Sequence, residues 1–120
     1  MDLKTATDLV PAARTEGDAL ILTVHGEIDM HNSPVLRTEI LDLVGKHLPR
    51  KLVLNLTDVG YMDSSACAVL VQALRRMREL GGKIYLTGLQ PRVKGILEIQ
   101  RLVSIFNVVK DEAEALNSVA

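Results

Sequence analysis

The chain has one cysteine, no tryptophan, and only three aromatic residues, Tyr61, Tyr85 and Phe106. A lone thiol, Cys67, excludes an internal disulfide, so packing must hold the fold, and a reducing compartment is expected. Three scattered aromatics build no stacking platform for single-stranded nucleic acid. Fourteen basic residues against fifteen acidic ones give a formal net charge of −1, so no cationic excess exists to grip a phosphate backbone. Control of transcription by such a chain would have to run through another protein. No apolar run is long enough to span a membrane. Met1-Asp2-Leu3-Lys4-Thr5 lacks the basic segment and apolar stretch of a secretory signal. A cytoplasmic protein without membrane insertion or direct nucleic-acid contact is expected.

Chemical signatures are equally sparse. There is no Gly-x-x-x-x-Gly-Lys-Ser/Thr loop to cradle a nucleotide, so no cofactor is expected. Asp29, His31, Asp58 and Asp63 are separated along the chain and no Cys/His framework accompanies them, which predicts no metal site. Gly-x-Ser-x-Gly is missing too, and His25 and His47 read as edge or surface residues. A serine hydrolase would have to use Ser64 with His31 as its base, and no catalytic residue is assigned. Repeats, low-complexity tracts and linkers are lacking, so residues 1–120 read as one domain with a loosely ordered stretch at 1–7.

What is present centres on Lys51–Leu80. Leu52–Leu56 is short and almost continuously apolar, the pattern of a parallel strand covered on both faces. Asp58 reads as a turn residue after it. From Ala66 onward, Val69, Leu70, Ala73, Leu74, Met77 and Leu80 recur at three- and four-residue spacings, with Gln72, Arg75, Arg76, Arg78 and Glu79 between them. That predicts an amphipathic helix with one buried stripe, ended by Gly81-Gly82. Cys67 reads as a small packing residue near its start. Between strand and helix lies Asp63-Ser64-Ser65, at a point where free backbone N–H groups and the helix dipole favour a capping oxygen. The same field would accommodate a phosphate on Ser64, although Asp63 beside it would oppose the added charge.

The remaining elements follow from similar signals. Leu9–Ala13 is a candidate edge strand because of Pro11, residues 15–18 read as a turn, and Ala19–Val24 as a second strand of a hairpin. Ser33 and Pro34 open a helix as cap and first residue, with Leu36, Ile40, Leu43, Val44 and Leu48 facing inward. Lys83–Thr87 is a strand, Pro91 starts a short helix burying Val93, Ile96 and Leu97, and Val103–Val109 holds a last strand around residues 105–108. Asp111 caps a terminal helix carrying Ala113, Leu116 and Ala120. The order β-β-α-β-α-β-α-β-α predicts an α/β fold: a mixed sheet of about five strands, an N-terminal hairpin and about four helices.

Four segments in this order carry a resemblance: Gly26-Glu27-Ile28-Asp29, Leu54-Asn55-Leu56, Met62-Asp63-Ser64-Ser65 and Gly81-Gly82-Lys83-Ile84. Together they resemble the STAS-domain anti-sigma factor antagonists over almost the whole chain. The resemblance implies a STAS fold and a protein-binding module rather than an enzyme. It implies phosphorylation at Ser64 by a partner that is both anti-sigma factor and serine kinase. A phosphatase would reset phospho-Ser64. The partner-binding residues it implies are Glu27, Asp29, Tyr61, Met62, Asp63, Ser65 and Ala66. Where the family continues Ser-Ser-Gly-Leu-Gly, this chain reads Ser64-Ser65-Ala66-Cys67-Ala68. That departure keeps an alternative open, a STAS scaffold or transporter-associated subunit that is not phosphorylated.

Overall fold

The computed structural model describes residues 1–118; Ala120, expected on the last helix, lies outside them. Six strands form one sheet: β1 (Asp2–Leu3), β2 (Ala12–Glu16), β3 (Ala19–Ile28), β4 (Lys51–Met62), β5 (Lys83–Thr87) and β6 (Asn107–Val109). They lie side by side in chain order. The first three pair antiparallel, and β3 through β6 pair parallel. Among the described residues four α-helices accompany the sheet: α1 (Ser33–His47), α2 (Ser64–Glu79), α3 (Pro91–Ile99) and α4 (Glu112–Asn117).

Alternation along the strands divides the core in two. Leu20, Leu22, Leu52, Leu54, Ile84 and Leu86 face α1, α2 and α3 in the main core. Ile21, Val53 and Tyr85 face the other way, under Ala115 of α4. The expected burial of the central strand on both faces is thereby met. The stripe on α2 is also as expected: Ala66, Val69, Leu70, Ala73, Leu74 and Met77 are buried, and Cys67 packs among them. Burial of each Val, Leu or Met contributes about 1.5–3 kcal/mol relative to exposure. Gly81 ends α2 at φ +75°, and a Cβ on Gly82 would meet the Arg50 carbonyl oxygen at 2.7 Å. Both glycines are therefore required by backbone geometry.

Several boundaries differ from the sequence reading. Within residues 1–7, Asp2 and Leu3 pair with Arg14 and Ala13, adding a sixth strand, and the N-terminal amine donates to the Thr15 carbonyl at 2.7 Å. Glu39, 5 % exposed, accepts from the Ala6 N–H and the Thr7 hydroxyl, fastening this segment to α1. The first hairpin strand begins at Ala12, after Pro11, and runs through Thr15 and Glu16, leaving Gly17-Asp18 as a two-residue turn. Leu9 instead accepts a hydrogen bond from the His25 N–H at 2.9 Å.

Asp58 lies inside β4, which continues to Met62 because β3 runs on beside it: His25 pairs with Asp58, Glu27 with Tyr61 and Ile28 with Met62. Two register irregularities between β3 and β4, each leaving one extra residue on β4, accommodate the extension. Thr57 and Asp58 are exposed while Val59 and Met62 are buried, which explains why the apolar pattern lapses there. Asn32, not Ser33, is the cap of α1, and Ser33 is buried. Leu48 is exposed in the left-handed region at φ 47°, closing α1 rather than packing inward. Near the C-terminus, Val103–Ile105 is a 3-10 turn, so only Asn107–Val109 is strand. Asp111 does cap α4, but its buried residue is Ala115, and Ala113 is exposed.

Candidate functional site

The parallel strands β3 and β4 end in register at Ile28 and Met62, and the Asp63 N–H donates to the Ile28 carbonyl at 3.1 Å. This brings the segment after β3 beside the start of α2. Asp63 is extended and caps that helix. Its Oδ1 accepts from the Ser65 N–H at 2.9 Å, the Ala66 N–H at 3.1 Å and the Ser65 hydroxyl at 2.5 Å. The Ser65 hydroxyl holds the Asp63 carboxyl below its ordinary range; desolvation opposes this, and the N–H groups of Ala66, Ser65 and Met30 add to it. Ser65 is thus occupied in the cap. Ser64, the first residue of α2, is the exposed serine of the pair.

A capping carboxylate with a lowered pKa contributes stability that is present above its unfolded-state pKa and lost as pH falls through the folded value. Ser65→Ala is expected to raise the Asp63 pKa toward the ordinary carboxylate value and shift the acid limb of the stability curve upward in pH. Carboxyl NMR titration of the two proteins measures the shift directly.

The facing segment is held by Asn32, which sequence reasoning missed. Asn32 Oδ1 accepts from the Asp29 N–H at 2.9 Å, and its Nδ2 donates to the Glu27 carbonyl at 2.8 Å. The Asp29 carboxylate in turn accepts from the His31 N–H at 2.9 Å and the Asn32 N–H at 3.4 Å. An Asn three residues after Asp, just before Ser-Pro, was the available signal. Glu27 is exposed and Asp29 half-exposed, so both remain accessible to a partner. His31 Nδ1 lies 3.6 Å from Asp29 Oδ1 on an exposed side chain.

Not every expected contact residue reaches the surface. Met62 and Ala66 are 1 % and 0 % exposed, so their side chains pack in the core beneath the site. Tyr61 is half-buried, with the Arg92 guanidinium 5.2 Å from its ring centroid. Burial, reinforced by the Asp63 charge, pushes the Cys67 thiol up, away from nucleophilic use. Among the described residues no three His, Cys, Asp or Glu gather as a metal site. No described helix is long and apolar enough to cross a membrane.

Between α1 and α2, a shallow cleft of about 320 Å³ is lined by residues including Pro34, Arg37, Ser65, Ala68 and Gln72. Arg37 hydrogen-bonds Gln72 across it. An exposed serine, a neighbouring open cleft and the carboxylates of Glu27, Asp29 and Asp63 share one end of the molecule. That arrangement defines a small α/β module with a helix-initiating serine exposed beside acidic side chains.

The STAS domain model matches residues 10–115, and the chain belongs to the STAS domain family. It is 27 % identical over 97 residues to the anti-sigma F factor antagonist of Paenibacillus polymyxa, covering 81 % of this chain and 83 % of that one. Against the anti-sigma-B factor antagonist of Listeria monocytogenes it is 32 % identical over 97 residues, covering 81 % and 84 %. Among solved structures, the anti-sigma factor antagonist SpoIIAA in its unphosphorylated form superposes with a TM-score of 0.75 at 19 % identity, covering 88 % of this chain and 91 % of that one. Phosphorylated SpoIIAA of Bacillus superposes with a TM-score of 0.66 at 18 % identity, covering 88 % and 95 %. At these identities the structural likeness establishes the fold, a six-stranded STAS domain.

Proposed function

We propose that the chain is an anti-sigma factor antagonist switched by phosphorylation. In the unmodified state, the surface around Glu27, Asp29, Asp63 and Ser64 binds an anti-sigma factor with serine kinase activity in the cytoplasm, and the sigma factor is released. The kinase then transfers the γ-phosphoryl of ATP to Ser64 Oγ. An O–P bond forms, the β–γ bridging P–O bond breaks, the serine proton is lost and ADP leaves. The chain is substrate and ligand in this step, not the enzyme.

The observation that carries the reading is the division of labour between the two serines: the Asp63 carboxylate engages Ser65, and Ser64 is exposed at the first position of α2. The relatives named as anti-sigma factor antagonists support it, as does the existence of SpoIIAA in unphosphorylated and phosphorylated forms. Phosphate at Ser64 adds about −1.5 to −2 charges beside Asp63. The helix N-terminus offsets part of that field in the free domain, whereas an interface that must desolvate both groups would be repelled. A separate phosphatase restores the unmodified state.

The two alanines that replace family glycines weigh unequally. Ala66 is buried and adds its methyl to the core; only Ala68 adds one to the exposed cleft. The partner face therefore differs from the family pattern by a single methyl at this motif. Incubation with each anti-sigma factor of the source organism and ATP, followed by phosphopeptide mapping, tests the modification. Label at Ser64 that is lost in Ser64→Ala and retained in Ser65→Ala is expected. Absence of label would favour the unphosphorylated scaffold, and label confined to another residue would contradict the assignment of Ser64.

A further inference from the structure

Resting on that partner-switching reading, we propose that the outer flank of α1 forms a second docking subsite. The groove between α1 and the N-terminal segment takes an apolar side chain of the anti-sigma factor, followed by a basic one that reaches Asp42. The groove measures about 340 Å³ and is walled by Ala6, Pro34, Val35 and Thr38, with Asp42 at its far end. Glu39 also lies along it, but both of its carboxylate oxygens are taken by Ala6 and Thr7. The wall opposite the helix is thus fixed in place, and the carboxylate nearest the apolar part is already partnered.

Three features select the occupant. Val35 is 45 % exposed in the first turn of α1, and Met30, 69 % exposed, stands in the segment leading to it, so apolar surface is displayed beside the site. Pro34 lines both this groove and the α1–α2 cleft that contains Ser65, which sets the groove next to the face proposed to meet the kinase. Finally, Asp42 is exposed seven residues beyond Val35, about 10 Å along the helix. An apolar anchor with a cation roughly 10 Å away matches this pattern of surface and charge.

The test titrates each purified anti-sigma factor of the source organism against the wild-type chain and against Ser64→Asp, Val35→Asp, Asp42→Lys and Lys94→Glu. Val35→Asp places an acid in a first helical turn, where it is compatible with the helix, and is expected to melt like wild type yet bind at least tenfold more weakly. Asp42→Lys is expected to weaken binding three- to tenfold at low salt, with the difference shrinking at about 0.5 M salt. Lys94→Glu, on exposed α3 surface, should bind as wild type does. If Val35→Asp loses structure, Thr38→Glu repeats the test one turn along.

Wild-type affinity in folded Val35→Asp, with binding lost in Ser64→Asp, would overturn the groove and leave the switch standing. Failure of the wild type to bind any anti-sigma factor would overturn both. A wild-type dimer in sedimentation that Val35→Asp dissociates would assign the groove to a second copy, overturning the proposed occupant.

Discussion

Ser64→Asp is expected to weaken binding of the anti-sigma factor by about 100-fold or more, roughly 2.7 kcal/mol, while leaving the melting temperature within about 2 °C of wild type. The separation of the two effects follows from where Ser64 sits. It is exposed at the first position of α2, so its side chain fills no part of the core. A carboxylate there lies at the positive end of the helix dipole, which offsets repulsion from Asp63 when both are solvated. Docking removes that solvent. Two adjacent carboxylates, with Asp29 and Glu27 nearby, would then have to be desolvated together against one partner surface. Isothermal titration and thermal melting on the same preparations check the prediction, with Ser64→Ala expected to bind like wild type. Loss of binding accompanied by unfolding would mean that Ser64 acts through the fold and not through charge.

The other large effect is expected at the opposite end of the sheet. Lys51 is 7 % exposed at the start of β4, and its ammonium donates to three backbone carbonyls near the end of α4: Ala115 at 3.2 Å, Leu116 at 3.0 Å and Ser118 at 2.5 Å. It also lies 5.8 Å from the Tyr85 ring centroid. Carbonyls in the last turn of a helix lack a full set of intrahelical donors, and this one side chain supplies a donor to each of the three, Ala115 also accepting from the Ser118 N–H at 3.3 Å.

The first turn of α4 is held separately. Glu112 accepts from Arg14 at 2.8 Å and from Asn55 at 2.8 Å. Desolvation raises the Glu112 pKa, but the hydrogen bonds from Asn55 and Arg14, with the Arg14 charge, outweigh it and hold the carboxyl below its ordinary range.

Lys51→Met keeps the apolar stem and removes every donor. Charge-assisted hydrogen bonds contribute about 1.5–3 kcal/mol each, and relief of the buried cation's desolvation offsets part of their loss, so a net destabilisation of about 2–4 kcal/mol is expected. That corresponds to a fall in Tm of roughly 10 °C. Hydrogen exchange should show the amides of α4 losing protection first. Lys110→Met, at an exposed lysine, should change stability by no more than about 0.5 kcal/mol. Unchanged protection of α4 in Lys51→Met would show that Ala115 and Leu116 hold the helix by packing alone.

Lys51 also illustrates what the sequence could reveal. The central strand and the helix after it were legible because burial on both faces of one and on a single stripe of the other leave distinct periodicities. Asp63 was legible as a cap for a local reason, since the N–H groups it caps, those of Ser65 and Ala66, lie within three residues. The function of Lys51 was not, because its partners are more than sixty residues away and are backbone atoms with no side-chain signature.

Long-range pairing explains the other differences as well. Asp2 and Leu3 become a strand only because the sheet edge at Arg14 and Ala13 is available, and Asp58 stays extended only because His25 runs beside it. In the candidate site, Glu27, Asp29, Asp63 and Ser64 could be placed together from strand order. Recognising Met62 and Ala66 as interior residues required the direction of each side chain, and the Asn32 network required the actual path of the turn.

The most direct measurement is displacement of the sigma factor itself. A preformed complex of sigma factor and anti-sigma factor would be titrated with the unmodified chain, or with the chain phosphorylated stoichiometrically at Ser64, and free sigma factor quantified by analytical size exclusion. Stoichiometric release by the unmodified chain and none by the phosphorylated chain at the same concentration is the predicted result. Equal release by both forms, or retention of the sigma factor against both, would contradict the phosphorylation switch.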